Sequence, residues 1–177
     1  MKTKFNQSKI KLAVVSAIVA GSMGLSATSY AATDTATMEV STTVLMSCTI
    51  SAGAMTFGSY DPTSDTNNDA TATITSTCTS GGAATITMGE GGGEVSGSTD
   101  AAPLRAMSDG QEVEQTLAYQ LYLDVAGGTV WGNTEGTGKA ITADGSAQNF
   151  TAYGRIPAEQ TVGAGTFSDS VAVTLTY

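Results

Sequence analysis

Short stretches in which polar and apolar residues alternate recur along this chain, and no stretch shows the longer period of an amphipathic helix. Alternation with a period of two is typical of a β-strand with one buried face. Threonine, serine, alanine and glycine are frequent, and turn-forming residues separate the alternating stretches. About seven short strands joined by turns predict an all-β fold, a β-sandwich of immunoglobulin-like type.

The predicted strands follow a leading alternating tract that ends at the first cysteine. They are residues 71–78, 84–88, 104–107, 115–125, 129–132, 150–157 and 171–177. In the clearest of them, the fourth, one face consists of Leu117, Tyr119, Leu121 and Leu123. Turn chemistry assigns the polar stretch 61–69 to a loop.

The N-terminal segment is typical of a secretory signal peptide, which we assign to residues 1–31. Four lysines precede an apolar run that extends from Leu12 to about Leu25. Ser29 and Ala31 are the small residues expected before a cleavage site. A membrane anchor, the alternative, would need about twenty continuous apolar residues. Serine and glycine interrupt this run. We therefore expect export, with cleavage after Ala31.

Cleavage would leave an acidic chain, with three basic residues against sixteen acidic ones. Such a surface repels phosphate backbones and anionic lipid headgroups, so nucleic acid is not an expected partner. The remaining length is typical of one domain.

Two cysteines, Cys48 and Cys78, lie thirty residues apart. In an oxidising compartment they most simply form one disulfide. A free reactive pair and a metal site are the alternatives, and the metal site is the weaker one because the chain has no histidine.

The absence of histidine excludes Ser-His-Asp and Cys-His catalysis. The glycine-rich stretches 89–94 and 136–140 do not match a phosphate-binding loop. The acidic loop 61–69 has enough oxygens for calcium but lacks EF-hand spacing, so calcium stays an open alternative there. No spacing selects two carboxylates for glycoside hydrolysis. We expect a protein that is not an enzyme and has no cofactor or metal ion.

The leading tract lies ahead of both cysteines, so no disulfide ties it to the domain that follows. Its odd positions from Thr35 to Thr43 are polar, and its even positions are small or apolar. The even positions are Ala36, Met38, Val40, Thr42 and Val44. A strand in this place can pair away from its own domain, as strands do when they add to the sheet of another protein.

A series of local motifs follows the leading tract in a characteristic order and spacing. They are Cys48-Thr49-Ile50-Ser51, Phe57-Gly58, Cys78, Leu117-Ala118-Tyr119-Gln120-Leu121-Tyr122, Trp131-Gly132, Tyr153-Gly154-Arg155-Ile156-Pro157 and the terminal stretch 165–177. With them the chain resembles the spore coat protein U domain family, which includes the pilins of archaic chaperone–usher pili. The resemblance covers essentially the whole mature chain.

The resemblance implies an incomplete immunoglobulin-like sandwich that lacks its last strand and has a hydrophobic groove instead. A periplasmic chaperone would fill this groove first, and the N-terminal strand of a neighbouring subunit would replace it at the outer-membrane usher. Residues 32–46 would then be the donor strand segment, with the even positions facing the groove, and residues 47–177 the pilin domain.

The same resemblance implies further partners and a location. The partners would be identical subunits joined head to tail, together with minor and tip pilins, in a pilus that is exported through the periplasm to the cell surface. Such a pilus would support attachment and biofilm formation. The alternative is a secreted monomeric adhesin or carbohydrate-binding module in which the leading strand completes its own β-sandwich.

Overall fold

A computed structural model of the chain describes residues 31–93, 95–111 and 114–177. The predicted signal peptide lies outside the described residues, apart from Ala31. The chain divides into two compact units, residues 1–41 and 42–177. The described part of the first unit, residues 31–41, is exposed and contains no helix or strand.

The second unit is built from eight described strands and one short 3₁₀ helix. They are β1 (Cys48–Ala52), β2 (Asn68–Cys78), β3 (Ala83–Met88), β4 (Arg105–Ser108), β5 (Thr116–Tyr122), the helix (Glu135–Thr137), β6 (Lys139–Thr142), β7 (Ala147–Ile156) and β8 (Val173–Thr176). No helix among the described residues is long and apolar enough to cross a membrane.

The strands form two sheets, and every pairing is antiparallel. The larger sheet has the order β1-β2-β7-β5-β4, and the smaller has the order β6-β3-β8. Two packed antiparallel sheets confirm the prediction of an all-β fold.

The core lies between the sheets and contains inward-facing side chains from both. In β5, Leu117, Tyr119 and Leu121 are buried as their alternation predicts. Trp131 is fully buried, and its indole nitrogen Nε1 donates a hydrogen bond of 2.8 Å to the carbonyl of Ile86 in β3. A buried indole needs such a partner because its N–H would otherwise lose its hydrogen bond to water.

Cys48 and Cys78 form a disulfide between the facing residues of β1 and β2, which confirms the predicted pairing. The bond ties the start of β1, an edge strand, to the end of β2, the strand beside it.

Six of the predicted strands correspond to β2, β3, β4, β5, β7 and β8. The prediction over 129–132 is wrong, since this stretch contains only an isolated bridge between Val130 and Tyr122. The prediction over 115–125 is too long. Asp124 accepts hydrogen bonds from the backbone N–H groups of Val125 and Thr129 and so forms a turn after Tyr122.

Alternation in the leading tract predicts a strand from residue 36, but β1 begins only at Cys48. Residues 31–47 belong to no strand of the described chain. A strand requires a partner for its backbone N–H and C=O groups, so alternation alone does not form one. The structure also adds β6, which the sequence analysis did not predict.

Candidate functional site: a groove at the open side of the sandwich

The sandwich is open where an edge strand of each sheet has one unpaired side. Among the described strands, β1 pairs only with β2, and β8 pairs only with β3. β1 and β8 lie next to each other across this opening. An unpaired edge presents free N–H and C=O groups, to which another strand can add.

Two irregular segments extend the opening beyond these strands. Residues 53–60 follow β1, and residues 161–172 precede β8. Within the described chain, residues 54–60 and residues 161–167 make no backbone-to-backbone hydrogen bond. Both sides of the opening therefore offer backbone groups to a partner.

Between these two segments lies a groove that is lined mostly by apolar side chains. It consists of a cavity of about 340 Å³ and a neighbouring cavity of about 630 Å³. Four side chains line both cavities and join them: Met55, Phe57, Met107 and Phe167. The smaller cavity reaches between the sheets, where side chains of both line it, among them Ile74, Leu121, Met88 and Val173. The groove is thus an exposed extension of the hydrophobic core.

A glycine allows one wall of the groove, the segment 53–60, to pack closely against the larger sheet. Gly154 lies in β7, and a Cβ atom at this position would be 2.2 Å from Sδ of Met55 and 2.7 Å from a ring carbon of Phe57. Phe57 also packs edge-to-face against Tyr119, with ring centroids 6.1 Å apart. Any larger residue at Gly154 would push this wall into the groove.

The same wall is held at its far end by Tyr60. Its hydroxyl donates a hydrogen bond of 2.9 Å to the carbonyl of Pro157 and accepts one of 2.9 Å from the backbone N–H of Gln160. The Gln160 side chain also bonds both backbone groups of Ala118 in β5. These bonds fix the wall at the end of β7.

The smaller cavity contains one polar patch, formed by Tyr119, Ser168 and Asp169. The Tyr119 hydroxyl donates to Oδ2 of Asp169 at 2.5 Å. Oδ1 of the same carboxylate accepts from the backbone N–H groups of Gly92 and Ser170. Burial, together with the bond to Asp169, raises the pKa of Tyr119, so the hydroxyl keeps its proton and remains a donor.

A buried arginine holds the two sheets together beside this patch. Arg105 in β4 is 1% exposed. Its guanidinium donates to the carbonyls of Met88, Gly89 and Trp131 and to the side-chain oxygen of Gln120. Burial lowers the pKa of Arg105 to about 10, which still leaves it charged at neutral pH. The bond to Met88, at the end of β3, links the larger sheet to the smaller one.

A comparison with known protein families shows the family to which this chain belongs. The profile of the Spore Coat Protein U domain matches residues 34–174. The chain belongs to the spore coat protein U domain family. This confirms the resemblance inferred from the local motifs, and it makes the chain a structural protein rather than an enzyme.

Two further similarities agree with this assignment. The chain is 37% identical over 179 residues to Protein U of Myxococcus xanthus, covering 95% of this chain and 98% of that protein. Its fold is similar to a chain in the crystal structure of the CsuC–CsuE chaperone–tip adhesion subunit pre-assembly complex from archaic chaperone–usher Csu pili of Acinetobacter baumannii. The TM-score is 0.54 at 19% identity, over 76% of this chain and 40% of that chain.

The predicted donor residues of this family member are exposed, and none belongs to a strand of the described chain. Met38, Val40 and Val44 are 83%, 86% and 78% exposed. Leu45, which the sequence analysis did not single out, is also 79% exposed. A series of exposed apolar side chains is unusual for a chain in water unless another surface covers it.

The sequence gives Phe57 only as part of a motif and Tyr119 only as part of a strand, and no local pattern assigns either of them to a groove. Met55 and Phe57 lie in a stretch without periodicity, and Asp169 lies in another. Arg105 gave one usable signal, because it is one of only three basic residues outside the predicted signal peptide.

Two of the three carboxylates in the acidic loop 61–69 make contacts within the fold. Asp61 accepts hydrogen bonds from the backbone N–H and the hydroxyl of Thr63. Asp69, at the start of β2, forms an ion pair with Arg155 at 2.7 Å. The described residues contain no cluster of three or more histidine, cysteine or acidic side chains that could hold a metal ion.

Proposed function

We propose that the protein is a structural subunit of a surface pilus that is assembled through the chaperone–usher pathway by donor-strand complementation. The observation that carries the proposal is the groove, whose two sides have free backbone groups and whose floor is apolar. The leading segment of the same sequence supplies a strand-length series of exposed apolar side chains at alternate positions.

In this proposal the segment 32–46 of one subunit lies in the groove of the next and adds a strand at the open side of the sandwich. Backbone hydrogen bonds supply affinity, and the even-numbered side chains fill the apolar floor. Burying four or five such side chains, at roughly 1.5–3 kcal/mol for the larger ones, contributes on the order of 5–10 kcal/mol before ordering costs.

Donor and groove are different surfaces of the subunit, so the contact does not close on itself. Repetition of such a head-to-tail contact produces an open filament. Before assembly a periplasmic chaperone would protect the groove, and the outer-membrane usher would exchange it for the donor strand. Minor and tip pilins would complete a fibre that supports attachment and biofilm formation.

Deletion of residues 32–43 tests this proposal, because it removes the donor and leaves the groove intact. The truncated subunit should still bind its chaperone and should accept a donor strand from full-length subunits, but it should form no polymer by itself. A matched control keeps the length and composition of the segment but groups its apolar residues so that they no longer alternate. This control should also fail to polymerise, because no register then places a continuous apolar face in the groove.

Display of long fibres by cells that produce only the truncated subunit would contradict the donor assignment. A purified full-length protein that remains monomeric at all concentrations would instead favour a secreted adhesin or carbohydrate-binding module.

A further inference from the structure

The polar patch in the groove has a counterpart in the leading segment. Of the five even positions predicted to face the groove, four are small or apolar, and Thr42 alone has a hydroxyl group. Among the described residues, Tyr119, Ser168 and Asp169 are the only polar side chains that line the smaller cavity, whereas the larger cavity is also lined by Thr56, Ser59, Tyr60 and Thr166. The donor segment and the smaller cavity therefore each have one polar position in an otherwise apolar surface.

Asp169 has the capacity for another hydrogen bond. A carboxylate can accept about four hydrogen bonds. Within the described chain, its Oδ1 accepts two backbone N–H groups, whereas its Oδ2 accepts only the Tyr119 hydroxyl. Asp169 is half-buried and lines the cavity, so a hydroxyl group that enters the groove can reach it.

We propose that Thr42 of one subunit donates a hydrogen bond to Asp169 of the next, and that this contact fixes the register of the donor strand. This inference rests on the proposed function. Strand register is specified poorly when an apolar series fits an apolar groove equally well after a shift of two residues. Such a shift would place the apolar side chain of Val40 or Val44 against the carboxylate and so would leave Asp169 without the additional hydrogen bond, at a cost.

A disulfide trap measures the register directly. Ser168 lines the cavity beside Asp169, and the bonds it makes to Ser108 come from its backbone N–H and C=O, so its side chain can be replaced. The mature full-length chain carrying Thr42→Cys and Ser168→Cys should form covalent ladders in non-reducing SDS electrophoresis after mild oxidation.

In the matched controls the donor cysteine lies two residues before or after position 42, on the same face of the strand. Val40→Cys or Val44→Cys, each with Ser168→Cys, should give few covalent ladders. Two residues along a strand span about 6.6–7 Å, whereas disulfide-bonded Cβ atoms lie about 3.5–4.5 Å apart. Ser168→Cys alone controls for exchange with the native disulfide.

Whether Thr42→Val stabilises or destabilises the polymer tests the hydrogen bond itself. If Thr42 faces an apolar pocket, Thr42→Val should strengthen the polymer, because a methyl group replaces a hydroxyl. If Thr42 bonds to Asp169, the same change should shorten the half-life of the polymer in hot detergent by about tenfold, and Thr42→Ser should restore most of it.

Ladders formed best by Val40→Cys or Val44→Cys, or a polymer that Thr42→Val stabilises, would overturn the proposed register while leaving donor-strand complementation in place. Absence of any polymer from the unaltered mature chain would instead contradict the proposed function.

Discussion

Replacement of Arg105 by methionine should destabilise the sandwich by several kcal/mol, because this side chain links the two sheets from a buried position. Its four hydrogen bonds come from a charged donor. Bonds of that kind contribute about 1.5–3 kcal/mol each, and their loss leaves buried carbonyl groups without a partner.

Part of this loss is offset, since methionine removes a buried charge. Burial lowers the pKa of Arg105 to about 10, so its buried charge opposes folding by about 3 kcal/mol. Water can reach some of the freed carbonyls, so we expect a net loss of about 3–5 kcal/mol in the free energy of unfolding.

The assay is urea unfolding of the subunit with its disulfide intact, followed by tryptophan fluorescence of the buried Trp131. Arg105→Lys should give an intermediate loss, because an ammonium group keeps the charge but cannot reach all four acceptors. Lys139→Met, in the edge strand β6, is the matched control and should change stability by less than about 0.5 kcal/mol. A loss below about 1 kcal/mol for Arg105→Met would refute the role assigned to this side chain.

Two further predictions concern the larger sheet. Joint replacement of Cys48 and Cys78 by serine should lower the free energy of unfolding by about 3–4 kcal/mol for a loop of this length, and an unchanged urea midpoint would contradict this. The Arg155 guanidinium holds the pKa of Asp69 below its ordinary value of 3.8, so the ion pair stabilises the fold above that pH, and the contribution is lost as the pH falls through the lower folded value. Asp69→Asn should therefore flatten the acid side of the stability profile, and a profile of unchanged shape would refute this coupling.

Most strands could be predicted because their alternation matches their burial. In β2 and β7, inward and outward positions follow the period of two over ten or more residues. β6 was missed because four residues after a glycine-rich stretch give too short a pattern. The stretch 129–132 has two adjacent apolar residues and no alternation, and it forms only the isolated bridge of Val130 to Tyr122. Trp131 packs in the core instead, where it bonds to Ile86.

Of the candidate site, only the donor segment could be predicted from the sequence, because its residues alternate with a period of two. The residues of the groove show no such period. Its walls are irregular and meet only through long-range packing, such as that of Phe57 on Gly154. The Tyr119–Asp169 bond likewise joins residues fifty positions apart, and local patterns contain no information on such a pair.

The central claim is that the even face of the leading segment fills the groove of a neighbouring subunit. Polymer remaining after mild heating in detergent should be measured for Val40→Asp and for its matched neighbour Ser41→Asp. Val40→Asp would bury a carboxylate without a partner and should abolish most of the polymer while leaving chaperone binding intact. Ser41→Asp places the same charge in water and should be nearly silent. Equal losses from the two variants, or a greater loss from Ser41→Asp, would contradict the account.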